Sequence, residues 1–112
     1  MVQLYFYKRD FETQKIERWF SERGIALHRV DLTRTRMGKR ELEAMQRQIG
    51  LPPLINAQSK AWKECAAHYT QDETTIMDAL LEDPRRMQLP IVRQGTFFSL
   101  GYQPNEWATW GL

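Results

Sequence analysis

The sequence predicts an α/β fold with a mixed β-sheet: strand, helix and strand, then a helical middle, then a β-hairpin and a last helix. Two observations carry this. Apolar runs of strand length stand near both ends, "VQLYFY" at 2–7 and "LPIVRQGTFFSLG" at 89–101. Between them apolar residues recur at helical spacing, and Gly24, Gly50 and Pro84 follow three of the helical stretches.

"VQLYFY" reads as a buried strand that runs straight into a helix. Asp10 stands at the junction as its N-cap, because a carboxylate there accepts from the free N–H groups of the first turn. Ile16, Trp19 and Phe20 then fall at i, i+3 and i+4 on one apolar face. Glu12 and Arg23 sit at the ends that the helix dipole favours, and Gly24 is the stop. "IALHRVDL" is a second strand, and a helical connection of this length joins parallel strands.

A helix from about Lys39 carries Leu42, Met45 and Ile49 and ends at Gly50 and "LPPL". "SKAWKECAA" reads as one short helix capped by Ser59. Thr70 and Glu73 have capping-box spacing before Ile76, Met77, Leu80 and Leu81, and Pro84 lies beyond. Two strands follow around a turn whose tip is placed at Gln94-Gly95. A last helix starts near Pro104 and carries Trp107 and Trp110. A parallel pair joined to an antiparallel hairpin, with helices on the faces, is a thioredoxin-like (glutaredoxin-like) arrangement. The order is β-α-β, a helical insertion over about 34–86, then β-β-α, in a single domain spanning 1–112.

At 112 residues, 42% of them hydrophobic, the chain has enough apolar material for its own core. Its single cysteine, Cys65, rules out an internal disulfide and any CxxC motif, and the histidines His28 and His68 show no metal-site spacing. A net charge of +2 falls short of a nucleic-acid-binding signature. The densest basic stretch, "TRTRMGKRE", reads as a solvated loop and first helical turn ahead of an anion patch. With no signal-peptide pattern and no apolar run of membrane-spanning length, a soluble, cytoplasmic monomer is expected. Most of the aromatic residues are expected in the core, with Phe97 and Phe98 on opposite sheet faces. An exposed tryptophan near the C-terminus would mark a partner surface.

Four stretches in this order, "LYFYKRDFETQK", "INAQSKAWKE", "DALLEDPRRMQLPIV" and "LGYQPNEW", together resemble the arsenate reductase ArsC and Spx family, including its YffB-type members. The resemblance implies a catalytic cysteine at the first strand-to-helix junction, in a pattern like Y-x-x-P-x-C-x-x-C/S-R-K. Tyr5 and Lys15 fit, but Lys8 takes the proline position and Asp10 the cysteine position. Thr13 and Gln14 take the next two. Where family arginines hold the oxyanion, this chain has Gln58, Leu89 and Tyr102. A carboxylate cannot enter thiol–disulfide exchange and would repel arsenate, so arsenate reduction by the family route is expected to be absent. Asp10 reads as a cap first and a substitute catalytic group second.

Other candidates follow from the resemblance or lie near its site. Pro90 stands where thioredoxin-like proteins carry a cis-proline, which would set peptide groups beside Lys8, Arg9 and Asp10 for an extended ligand. Arg93 would add a positive charge, or be an ordinary strand arginine. Asn56, six residues before Trp62, matches the "N…W-R/K" stretch of YffB-type members. Cys65 reads as a packed, unreactive thiol, with a redox role as the alternative. Three functions stay open: a binding or regulatory module, as Spx-type relatives contact RNA polymerase; a glutathione-linked thiol enzyme; or a small-anion site at Lys8, Arg9 and Arg93. No metal is expected, and glutathione is the one cofactor-like ligand allowed.

Overall fold

The computed structural model describes all residues from Met1 to Leu112. They form two compact units, Met1–Leu32 with Leu89–Leu112, and Thr33–Gln88. The first holds β1 (Val2–Phe6), α1 (Phe11–Glu22), β2 (Leu27–Asp31), β3 (Ile91–Gln94), β4 (Phe97–Leu100) and α5 (Pro104–Thr109). The second holds α2 (Lys39–Ile49), α3 (Lys60–Lys63) and α4 (Glu73–Glu82), with 3-10 turns at Pro52–Leu54, Ala66–Tyr69 and Pro84–Arg86.

The sheet order is β2-β1-β3-β4. β1 runs parallel to β2, and β3 is antiparallel to both β1 and β4. The fold class is therefore the mixed α/β sheet expected. Because successive strand residues alternate between faces, Val2, Leu4 and Val92 share one face, and there they pack with Ile16, Trp19, Phe20 and Trp107. Trp107 lies edge-on to Trp19 at 5.0 Å and 4.9 Å from Phe20. Its indole N–H donates to Ser99 Oγ at 2.8 Å, so the buried ring has no orphaned donor. This cluster packs α1 and α5 against the sheet.

Several boundaries differ from the sequence reading. The hairpin tip is Gly95-Thr96 rather than Gln94-Gly95, because Gln94 still pairs with Phe97. Gly95 has φ +59°, the left-handed residue that comes first in a type II′ loop. The N-cap of α4 is Asp72, whose carboxylate accepts from Thr75 N–H and Oγ1–H, so Thr70 and Glu73 form no capping box. Thr70 Oγ1 instead accepts from Asp72 N–H at 3.1 Å and holds the turn before the cap. "SKAWKECAA" is not one helix. Ser59 does cap α3, but the helix stops after Lys63, and Cys65 is extended at φ −86°, ψ 139° before the chain tightens into a 3-10 turn. Phe98 is buried as expected, whereas Phe97 is half-exposed and stacks on Trp110 at 5.8 Å.

Within the second unit, Ile55 and Met87 form an antiparallel bridge, flanked by Asn56 N–H to Arg86 O and Gln88 N–H to Leu54 O. Arg36 ties the start of the unit to the end of α4 by donating to the Glu82 carbonyl at 2.7 Å. No helix is long and apolar enough to cross a membrane.

Candidate functional site

The strand-to-helix junction, residues 7–13, is the first candidate. β1 ends at Phe6 and α1 begins at Phe11, which leaves Lys8, Arg9 and Asp10 exposed in the link. Asp10 has extended backbone, and its Oδ1 accepts from Thr13 N–H at 2.8 Å and from Thr13 Oγ1–H at 2.7 Å. The carboxylate thus satisfies one of the free donors of the first turn and adds negative charge at the positive end of the helix. Thr13 is buried beneath it. Phe11, the first helical residue, is 85% exposed.

The C-terminal segment closes over the same turn. Glu12 Oε2 accepts from Tyr102 N–H at 3.0 Å, and Lys15 Nζ lies 4.3 Å from the centre of the Tyr102 ring. Gly101 makes this approach possible: it has φ +71°, and a Cβ there would lie 2.6 Å from Glu12 Oε2. Glu12 therefore does more than complement a helix dipole. The Leu89–Pro90 bond is cis, as the resemblance implied. The Pro90 carbonyl, however, accepts from Gly101 N–H at 2.8 Å, so that acceptor is not free for an extended ligand.

Arg93 does not join Lys8 and Arg9. It lies beside Gln3, near the start of β1, whereas Lys8 and Arg9 follow the end of that strand. Its guanidinium donates to the Gly95 carbonyl at 2.9 Å and to Tyr5 Oη at 3.3 Å, and sits over the Phe98 ring. Arg9 pairs elsewhere. Its Nε donates to Glu17 Oε1 at 2.6 Å, and Arg29 Nε donates to Glu17 Oε2. Glu17 is only 8% exposed. Burial pushes its carboxyl up, but the hydrogen bonds from Arg9 and Arg29 and their charges outweigh that and hold it below the usual glutamate value. The sequence reading missed both Glu17 and Arg29. The available signal was Glu17 itself, an acid four residues after Thr13 on the buried side of α1.

The second unit places the other candidates. Asn56 Oδ1 accepts from Gln58 N–H at 3.3 Å and its carbonyl accepts from Ser59 N–H, so Asn56 shapes the turn that leads into α3. Cys65 is buried, with its N–H on the Trp62 carbonyl and its carbonyl on His68 N–H. Because it lies outside a helix, helical spacing does not bring His68 to its thiol. Cys65 lines one wall of an open groove of about 440 Å³ with Ala66, Ala67, Asp78, Glu82 and Arg86. Arg86 is tied down by the carbonyls of Ala61 and Ala79 and approaches Glu82 at 3.9 Å. No set of side chains has the makings of a metal site.

Comparison with known proteins agrees with the resemblance read from the sequence. No protein-family model matches the chain. A global transcriptional regulator, Spx 2 from Oceanobacillus iheyensis, is 27% identical over 99 residues, which cover 84% of this chain and 72% of the regulator. In fold, the chain matches a YffB protein at a TM-score of 0.85 and 19% identity, covering 97% of each chain. It matches an arsenate reductase from Vibrio cholerae at 0.82 and 21% identity, covering 99% of this chain and 97% of the reductase. An ArsC family related protein from Bacteroides fragilis gives 0.80 and 22% identity, with 96% and 95% covered. The thioredoxin-like fold of arsenate-reductase-related proteins is thus the fold of this chain, and the likeness to the ArsC and Spx family is supported in both sequence and structure.

Proposed function

We propose that this chain is an ArsC/Spx-family protein that has kept the scaffold, gives up arsenate reduction by the cysteine route, and acts as a binding or regulatory module. One observation carries the reading. The position where the family resemblance places a nucleophilic thiol holds Asp10, and its carboxylate is engaged by both donors of Thr13. A carboxylate at a helix N-terminus is stabilised much as a thiolate would be, but it forms no mixed disulfide with glutathione. The relative named as a transcriptional regulator supports a role through protein contact. With one cysteine in the chain, such a contact would lack a CxxC redox switch and be constitutive.

The test is an arsenate-reduction assay with glutathione and a coupled reductant, run on the wild type. No turnover above the protein-free background is expected. Turnover that disappears in Cys65→Ser would replace this reading with that of a glutathione-linked thiol enzyme working from the second unit.

A further inference from the structure

Glu17 needs one arginine to neutralise it and has two. Arg9 comes from the link after β1 and Arg29 from the edge strand β2, and each donates its Nε to a different oxygen of the same buried carboxylate. Holding a guanidinium by Nε leaves its terminal nitrogens, four N–H donors per arginine, free to face outward. No further partner takes them, and the two side chains are 60% and 52% exposed. The three groups together keep a net positive charge. Nearby along the chain Lys8 adds to it, and the Asp10 carboxylate opposes it while committed to Thr13.

We infer that Arg9 and Arg29, held on Glu17, form a binding site for a phosphate-class oxyanion. Arginine suits planar, bidentate recognition of such oxygens, and both side chains have already lost much of the rotamer freedom that binding would otherwise cost. Two outward forks match a tetrahedral dianion, which offers three or more oxygens, better than a lone carboxylate with two. The site differs in composition from the small-anion site expected from the sequence, because Arg29 takes the place assigned there to Arg93. The inference stands apart from the proposed loss of cysteine chemistry, and either can fail without the other.

The test is titration of the full chain with inorganic phosphate at fixed ionic strength, with chloride as the reference, followed by calorimetry and thermal shift. Saturable binding and a rise in Tm above the chloride series are expected. Arg9→Lys and Arg29→Lys keep the charge but lose the fork, and each should weaken phosphate binding at least fivefold. Arg18→Ala, which removes an exposed arginine from the same helix, should leave it unchanged. A parallel arm with phosphoserine separates a displayed phosphoryl group, which would bind more tightly, from the free anion, which would bind equally. Circular dichroism without phosphate checks that the variants fold, and the wild-type comparison decides the matter even if one does not. A phosphate response equal to chloride, or one that both lysine variants retain, would overturn the inference.

Discussion

At the N-terminus of α1 an exposed carboxylate stands at a helix end, with Thr13 donating to it and arginine and lysine beside it in the chain. Around Cys65 there is a thiol, but it is buried, in an extended residue between a four-residue helix and a 3-10 turn. One region has the setting for a reactive group without the nucleophile, and the other has the nucleophile without the setting. A sulfur becomes reactive when its thiolate is stabilised and reachable, which a helix N-terminus supplies and a packed link does not. On the proposed reading, where a cysteine stands relative to α1 bears more on its reactivity than whether the chain has one.

Loosening α1 itself should have the largest effect. Trp107→Ala removes the fully buried ring that packs on Trp19 and Phe20, and should cost about 3–5 kcal/mol in denaturant unfolding. A loss below about 1 kcal/mol would mean that the aromatic cluster does not set the position of the helix.

A smaller effect sharpens the reading of Asp10 as a cap. Asp10→Ala should lower stability by about 1 kcal/mol, while Asp10→Asn, which keeps an acceptor oxygen, should retain most of it. Equal losses in the two would point to the charge rather than the hydrogen bond.

The smallest expected effect is in the pH dependence. Glu17 has its carboxyl lowered in the folded chain, so its contribution is complete above the ordinary glutamate value of about 4.3 and is lost as pH falls through the lower folded value. Asp72, lowered by its hydrogen bonds from Thr75, and Asp83, lowered by its hydrogen bond from Arg85, act in the same direction. Thermal scans from pH 6 to about pH 2.5 should show Tm falling over the acid range, with a shallower slope in Glu17→Gln. An unchanged slope would remove Glu17 from the acid response.

Much of the first unit is legible in the sequence. The apolar run "VQLYFY", the 16-19-20 apolar face and Asp10 ahead of it are local signals, and they give β1 and α1 with the right cap. The extent of α2 from Lys39 to the glycine stop was equally readable. Long-range pairing was not. Nothing in periodicity couples Glu17 to an arginine twelve residues on, or Glu12 to the backbone of Tyr102. Arg93 stands beside Gln3, far away in the sequence, through the long-range β1–β3 register that no local pattern carries. The helix through Cys65 failed for a different reason: "SKAWKECAA" has good helix formers throughout, and tertiary packing of Trp62 and Ala67 ends the helix where propensity would continue it.

The most direct measurement is native-state thiol–disulfide exchange with an aromatic disulfide, comparing the wild type with Asp10→Cys in a Cys65→Ser background. The wild type should react slowly while folded and fully once denatured. The Asp10→Cys variant should react at least tenfold faster than the folded wild type, as a thiol at a helix N-terminus with its pKa below the ordinary value of about 8.5. A folded wild type that reacts through Cys65 as fast as the variant would contradict the account.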